Sequence, residues 1–303
     1  MQNIQAILAT TRLDLHHERF AVTALRSMAD QAQDHYIPMM VEHDIRRPTT
    51  GRIVTTEVVE LGDGEYGLLA TAELFDESDD LNSAAGDGRF LSIGESCTQT
   101  LHVTYDRMLP PEGKQLVREL SEVTGDKPEE EGKKALEPIA VLTISLGTSL
   151  AIEATKGAAS KAGADAWDKL KEIRDILVKH FRQGTLGSSV VFDTMYLHET
   201  PTGPIEVHIL LDKDVGRKIG KLFDEAFALA GSRLKKLPLE GAKVRRIVFE
   251  YDGSHLELRY AVREDCVPMT FVNNQPVLLL LDKSDRLKIG ASSGGRASRK
   301  KTQ

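Results

Sequence analysis

Ile37–Val54, IPMMVEHDIRRPTTGRIV, decides how the first part of this chain is read. A short apolar run delivers His43 near its end, Asp44 and a basic, proline-containing turn follow, and the chain re-enters a strand at Gly51-Arg52. A histidine at a strand exit sits where a rigid scaffold meets solvent, a position that suits a general base as well as a hydrogen-bonded surface residue.

Downstream, Arg52–Leu61 (RIVTTEVVEL) is rich in β-branched residues. Asp63-Gly64 is a turn signal, and Glu65–Leu74 (EYGLLATAEL) completes a predicted hairpin. Phe90–Ile93 and Thr98–Tyr105 read as further strands. Upstream, Phe20–Ala32 places Val22, Leu25, Met28 and Ala29 on one face and predicts a helix. The stretch to about residue 125 is therefore expected to be a β-rich domain with one helix.

Two more stretches of this region could carry chemistry. In Gly88–Cys97 (GRFLSIGESC), Ser92 lies in a short apolar segment and is followed by Ile93-Gly94. A glycine just after a nucleophile lets backbone N–H groups turn toward a developing oxyanion. Ser-x-Gly is common, however, and Ser96 is a rival four residues on. In Leu120–Thr124 (LSEVT), Glu122 could orient a histidine, or could be a solvated charge at a domain edge.

Taken in order, these pieces resemble the prohead maturation proteases of tailed phages, distant relatives of the herpesvirus assemblins. The matching residues are Met39 to Asp44, Arg47-Pro48, Gly51-Arg52, Leu91-Ser92-Ile93-Gly94 and a closing strand at Leu120 to Thr124, with Thr11–Phe20 (TRLDLHHERF) as a loose match to the opening strand and turn. The resemblance implies an assemblin-like barrel. It implies His43 as general base, Ser92 as nucleophile, Glu122 as third member and the Ile93 and Gly94 amides as oxyanion donors. The implied activity is that of a serine endopeptidase acting on a protein substrate, such as a phage scaffold or capsid precursor if the gene is viral. The chain departs from the family at Glu95, beside the serine, and at the acidic run Glu129-Glu130-Glu131. Glu95 and the large addition beyond residue 125 motivate a second expectation, an inactive protease fold serving as an interaction or regulatory protein, such as an accessory or defence component.

Beyond residue 125 nothing matches that family. Thr124–Lys134 (TGDKPEEEGKK) reads as a linker, and Glu137–Arg182 as a helical connector in which Trp167, Leu170, Ile173, Leu177 and Phe181 form one apolar stripe. Residues 188–289 predict strand, strand, helix, strand, strand: a small α+β unit with an antiparallel sheet. The glycine-, serine- and lysine-rich tail, 290–303, is expected to be disordered. The domains are thus expected at 1–125, 126–187 and 188–289, within an α+β fold class overall.

Bulk properties narrow the function. With 303 residues, 41% hydrophobic and 28% charged, the chain can bury sizeable cores. A net charge of -7 argues against a nucleic-acid surface. Two distant cysteines, Cys97 and Cys266, build neither a zinc site nor a disulfide framework, and no cofactor or metal is expected. Pro138–Ile152 is uncharged, but its fifteen residues fall short of the roughly 18–20 that cross a bilayer as a helix. A cytoplasmic protein with a protein substrate or partner is expected, with room for a homo-oligomer.

Overall fold

A computed structural model describes residues 2–13, 19–41, 44–75, 89–90, 102–106, 109–125, 127–131, 140–147, 164–182, 190–211, 225–235 and 243–269. They form a mixed α/β fold with two β-sheets and four helices.

The first sheet is antiparallel and has the order β1-β4-β3-β2, from β1 (Gln2–Thr10), β2 (Ile37–Met39), β3 (Gly51–Gly62) and β4 (Glu65–Leu74). Its central hairpin forms as the sequence predicts. Asp63 and Gly64 both take positive φ, 56° and 73°, the two-residue turn whose twist matches the flanking strands. Helix α1 (Val22–Ala32) packs Leu25 and Ala29 onto Leu68. Met28, expected on that buried face, is 40% exposed.

The second sheet has eight strands in the order β12-β11-β10-β9-β8-β7-β5-β6. They are β5 (His102–Asp106), β6 (Glu129–Glu131), β7 (Ala140–Leu146), β8 (Val190–His198), β9 (Ile205–Leu211), β10 (Val244–Tyr251), β11 (Leu256–Arg263) and β12 (Pro268–Met269). Three parallel pairs, β5/β6, β7/β8 and β9/β10, are each separated in sequence by a helix. A parallel pair needs such a crossover. The crossover helices are α2 (Pro111–Thr124), α3 (Ala164–Arg182) and α4 (Phe227–Leu234), and all three pack on one face. Leu170, Ile173 and Leu177 of the predicted stripe are buried there, and Phe181 meets Phe192 edge-on at 5.9 Å.

Several expectations change. No sheet closes into a barrel among the described strands. Leu120–Thr124, read as a strand, ends helix α2, which has a proline at its first position and Gly125 in the left-handed region at its end. The segment expected to be helical after residue 137 contains β7, an interior strand buried on both faces, which is why it reads as one unbroken apolar run. The predicted linker contains β6. The C-terminal strands belong to a mixed sheet, because β9 and β10 are parallel. Residues on either side of 125 and of 187 hydrogen-bond into this one sheet. The tail at 290–303 lies outside the described residues.

The other face of the large sheet meets the N-terminal layer. Val141, Val191, Leu210, Val248 and Tyr260 pack there with Tyr36 and Phe90, and Ile45, Val54 and Phe75 close the seam.

Candidate functional site

The stretch that opened the sequence reading is fastened to this seam. Tyr36, just before β2, is 8% exposed, and the guanidiniums of Arg52 and Arg89 each lie 4.1 Å from its ring centre. Arg52 is held by Glu73 at 2.7 Å and donates to the Asp265 carbonyl at 2.9 Å. Thr49 donates to the Cys266 carbonyl at 2.8 Å, and Tyr260 donates through its hydroxyl to the Ile45 carbonyl at 2.8 Å. The turn after residue 43 is thereby clamped by residues more than two hundred positions away.

Asp44 shapes this turn from within. Its carboxylate accepts from the Arg46 backbone N–H at 3.0 Å and from the Arg46 guanidinium at 2.9 and 3.1 Å. Burial alone would raise its pKa; the bonds from Arg46 and the charge of Arg47 outweigh that and hold it below the usual carboxylate range.

Beneath the seam lies a buried polar cluster. Arg246 Nε donates to Glu206 Oε2 at 2.7 Å, with both side chains at most 1% exposed. His208 Nδ1 lies 2.9 Å from Asp193 Oδ2, and its Nε2 lies 3.8 Å from Glu206 Oε2. Thr143 donates to the same Asp193 oxygen at 3.3 Å. The Arg246 guanidinium lies 5.5 Å from the Phe90 ring centre. Burial would depress the His208 pKa, but the Asp193 and Glu206 carboxylates more than reverse it, so the imidazole is a better base than usual. When His208 is protonated, two carboxylates face one guanidinium and one imidazolium, a charge-balanced set. Burial pushes the Cys266 thiol up to about 12, which makes it inert. Asp193 Oδ1 and Arg246 Nη2 have no hydrogen-bond partner among the described residues.

Sequence reasoning missed this cluster. Glu206 and His208 alternate with Ile205, Val207 and Ile209, a pattern that ordinarily means a solvated strand face. Here all seven residues of β9 are buried. The overlooked signal was the matching alternate charge on β8 and β10, at Asp193 and Arg246.

His43, Ser92, Ile93 and Gly94 lie outside the described residues. Their described neighbours do converge. Phe90 forms a parallel bridge with Tyr36, whose N–H donates to the Arg89 carbonyl, while Asp44 follows five residues after the end of β2. Glu122 is exposed on α2. That helix packs on the face of the large sheet opposite Phe90 and Ile45, so Glu122 is not brought to this seam.

Comparison with family models, with curated proteins and with solved structures finds none similar to this chain. The site is therefore read from its own residues. Among those described, no group of three histidine, cysteine or acidic side chains is placed to hold a metal ion, and no helix is long and apolar enough to cross a membrane.

Proposed function

We propose that this protein is a serine endopeptidase similar to the prohead maturation proteases, acting in the cytoplasm with Ser92 as nucleophile and His43 as base. The reading includes kinship with the assemblin-like fold. One observation carries it beyond the motifs: the parallel bridge between Tyr36 and Phe90. The bridge sets Tyr36, seven positions before His43 in the sequence, beside Phe90, two positions before Ser92, with the two segments parallel at that point.

In this mechanism the Ser92 hydroxyl attacks the scissile carbonyl carbon as His43 accepts its proton. The oxyanion accepts hydrogen bonds from the Ile93 and Gly94 amides, and the leaving amine departs with the proton from His43. Water then attacks the acyl-enzyme by the same route. The resemblance names Glu122, exposed on α2, as the third member.

A fluorophosphonate probe tests the proposal. Wild-type protein should be labelled, and Ser92→Ala and His43→Ala should lose the label. Labelling that persists in Ser92→Ala removes the reading. The second reading, an inactive protease fold that binds a partner protein, is favoured by the position of Glu122 and by Glu95 in the sequence next to the serine segment. It predicts a folded wild-type protein that takes no label and cleaves no peptide.

A further inference from the structure

Among the described strands, β1, β2, β6 and β12 stand at sheet edges, and three of them are guarded. β2 has three residues, one of them Pro38. β12 has two and begins with Pro268. β6 consists of three glutamates, Glu129, Glu130 and Glu131. Short length, proline and charge are the usual means of stopping an edge from pairing with another chain. β1 has none of them. It runs for nine residues, QNIQAILAT, without a charge or a proline, and among the described residues no strand pairs along its outer side.

The unguarded stretch has definite limits. β1 keeps a regular antiparallel register with β4 from Gln2 to Ile7, and a bulge at Leu8 follows. Beyond the bulge the Thr10 carbonyl accepts from the Phe20 N–H, which occupies the backbone at that end. Within the regular run Gln2, Asn3, Gln5, Ala6 and Ile7 are all exposed, Ile7 at 41%. A run of that length extends about 20 Å.

The occupant follows from charge and symmetry. The chain carries a net charge of -7, so two copies repel over most of their surfaces. A two-fold contact brings one patch against the same patch of its copy, and like charges facing across a strand pair are destabilising. β1 is neutral along its whole length and escapes that penalty. The side-chain amides of Gln2, Asn3 and Gln5 both donate and accept, so they suit an identical strand as well. Pairing about a two-fold axis also consumes the one unguarded edge of each copy. The guarded edges are left outside, so assembly stops at two and does not continue as a fibre.

We infer that two copies of this protein pair antiparallel through β1, joining their four-stranded sheets into one continuous sheet. The inference is independent of the peptidase reading. The contact is smaller than a standard interface, so the dimer is reversible, with a micromolar dissociation constant.

The experiment uses the full chain in analytical ultracentrifugation from about 1 to about 200 µM, a range that brackets such an equilibrium, with hydrogen exchange measured at both ends. A monomer–dimer equilibrium is expected, and the amides of residues 2–7 should exchange more slowly at the high concentration. Gln5→Lys and Ile7→Lys change exposed side chains, so the fold, checked by circular dichroism, is retained. Each should weaken the dimer by about tenfold or more, because like charges then meet across the axis. An equal mixture of Gln5→Lys and Gln5→Glu should recover a dimer that neither forms alone. A chain that stays monomeric throughout overturns the inference and leaves the edge to a different extended chain. A dimer that ignores both lysine variants overturns it too, since association then uses another surface, and so does a mixture of opposite charges that fails to associate.

Discussion

Arg246 and Glu206 meet at 2.7 Å inside the protein, and neither can be removed alone without leaving a buried charge. Arg246→Met is expected to destabilise the fold by about 3–5 kcal/mol, read as a fall in the urea midpoint. The double variant Glu206→Leu with Arg246→Met should recover most of that loss; no recovery would mean that the pair is not the cause. His208 adds a pH dependence. Its folded pKa is raised above the unfolded value near 6.5, so its stabilising contribution is complete below that value and is lost as pH rises through the folded one. Urea midpoints should therefore fall as pH rises above about 6.5, and His208→Gln should flatten that part of the profile. At this scale the sequence was least readable. A charged residue on a strand looks the same whether its partner is water or a guanidinium on a neighbouring strand.

Elements were legible where their cause is local. The β3–β4 hairpin follows from Asp63-Gly64, because few other residues tolerate positive φ at both turn positions. Gly64→Ala is expected to destabilise by about 1–2 kcal/mol, the usual penalty for a side chain in the left-handed region, measurable by thermal or urea unfolding. The stripe of α3 was equally plain at Leu170, Ile173 and Leu177. Leu120–Thr124 misled because five residues in isolation carry no period. The helix signals lay outside them, in Pro111 at the start and Gly125 at the end of α2. For β7, burial on both faces removed the alternation by which a strand is usually recognised.

At the scale of the molecule, β5 and α2 precede residue 125 yet pair and pack with β7 and α3, which follow it. A fragment of residues 1–125 would leave Leu116, Val117 and Leu120 without the partners that bury them. It is expected to be unfolded or aggregated, with a collapsed amide spectrum by NMR; a well-dispersed spectrum would show that the N-terminal part stands alone. The clamps from Tyr260, Cys266 and Asp265 to the turn after residue 43 point the same way. Tyr260→Phe should destabilise by about 1 kcal/mol through the lost hydrogen bond, and a proteolysis assay should detect faster cutting near Arg46-Arg47.

What the chain determined by itself was whatever depends on neighbours within about a dozen residues: turns, amphipathic stripes, the hairpins and the order of the protease-like motifs. Tertiary structure alone decided which strands share a sheet, that two sheets pack with a charged cluster beneath their seam, and that Glu122 lies on the far face. The physical reason is that pairing and burial join residues such as Thr49 and Cys266, 217 positions apart, and no local pattern encodes contact over that separation.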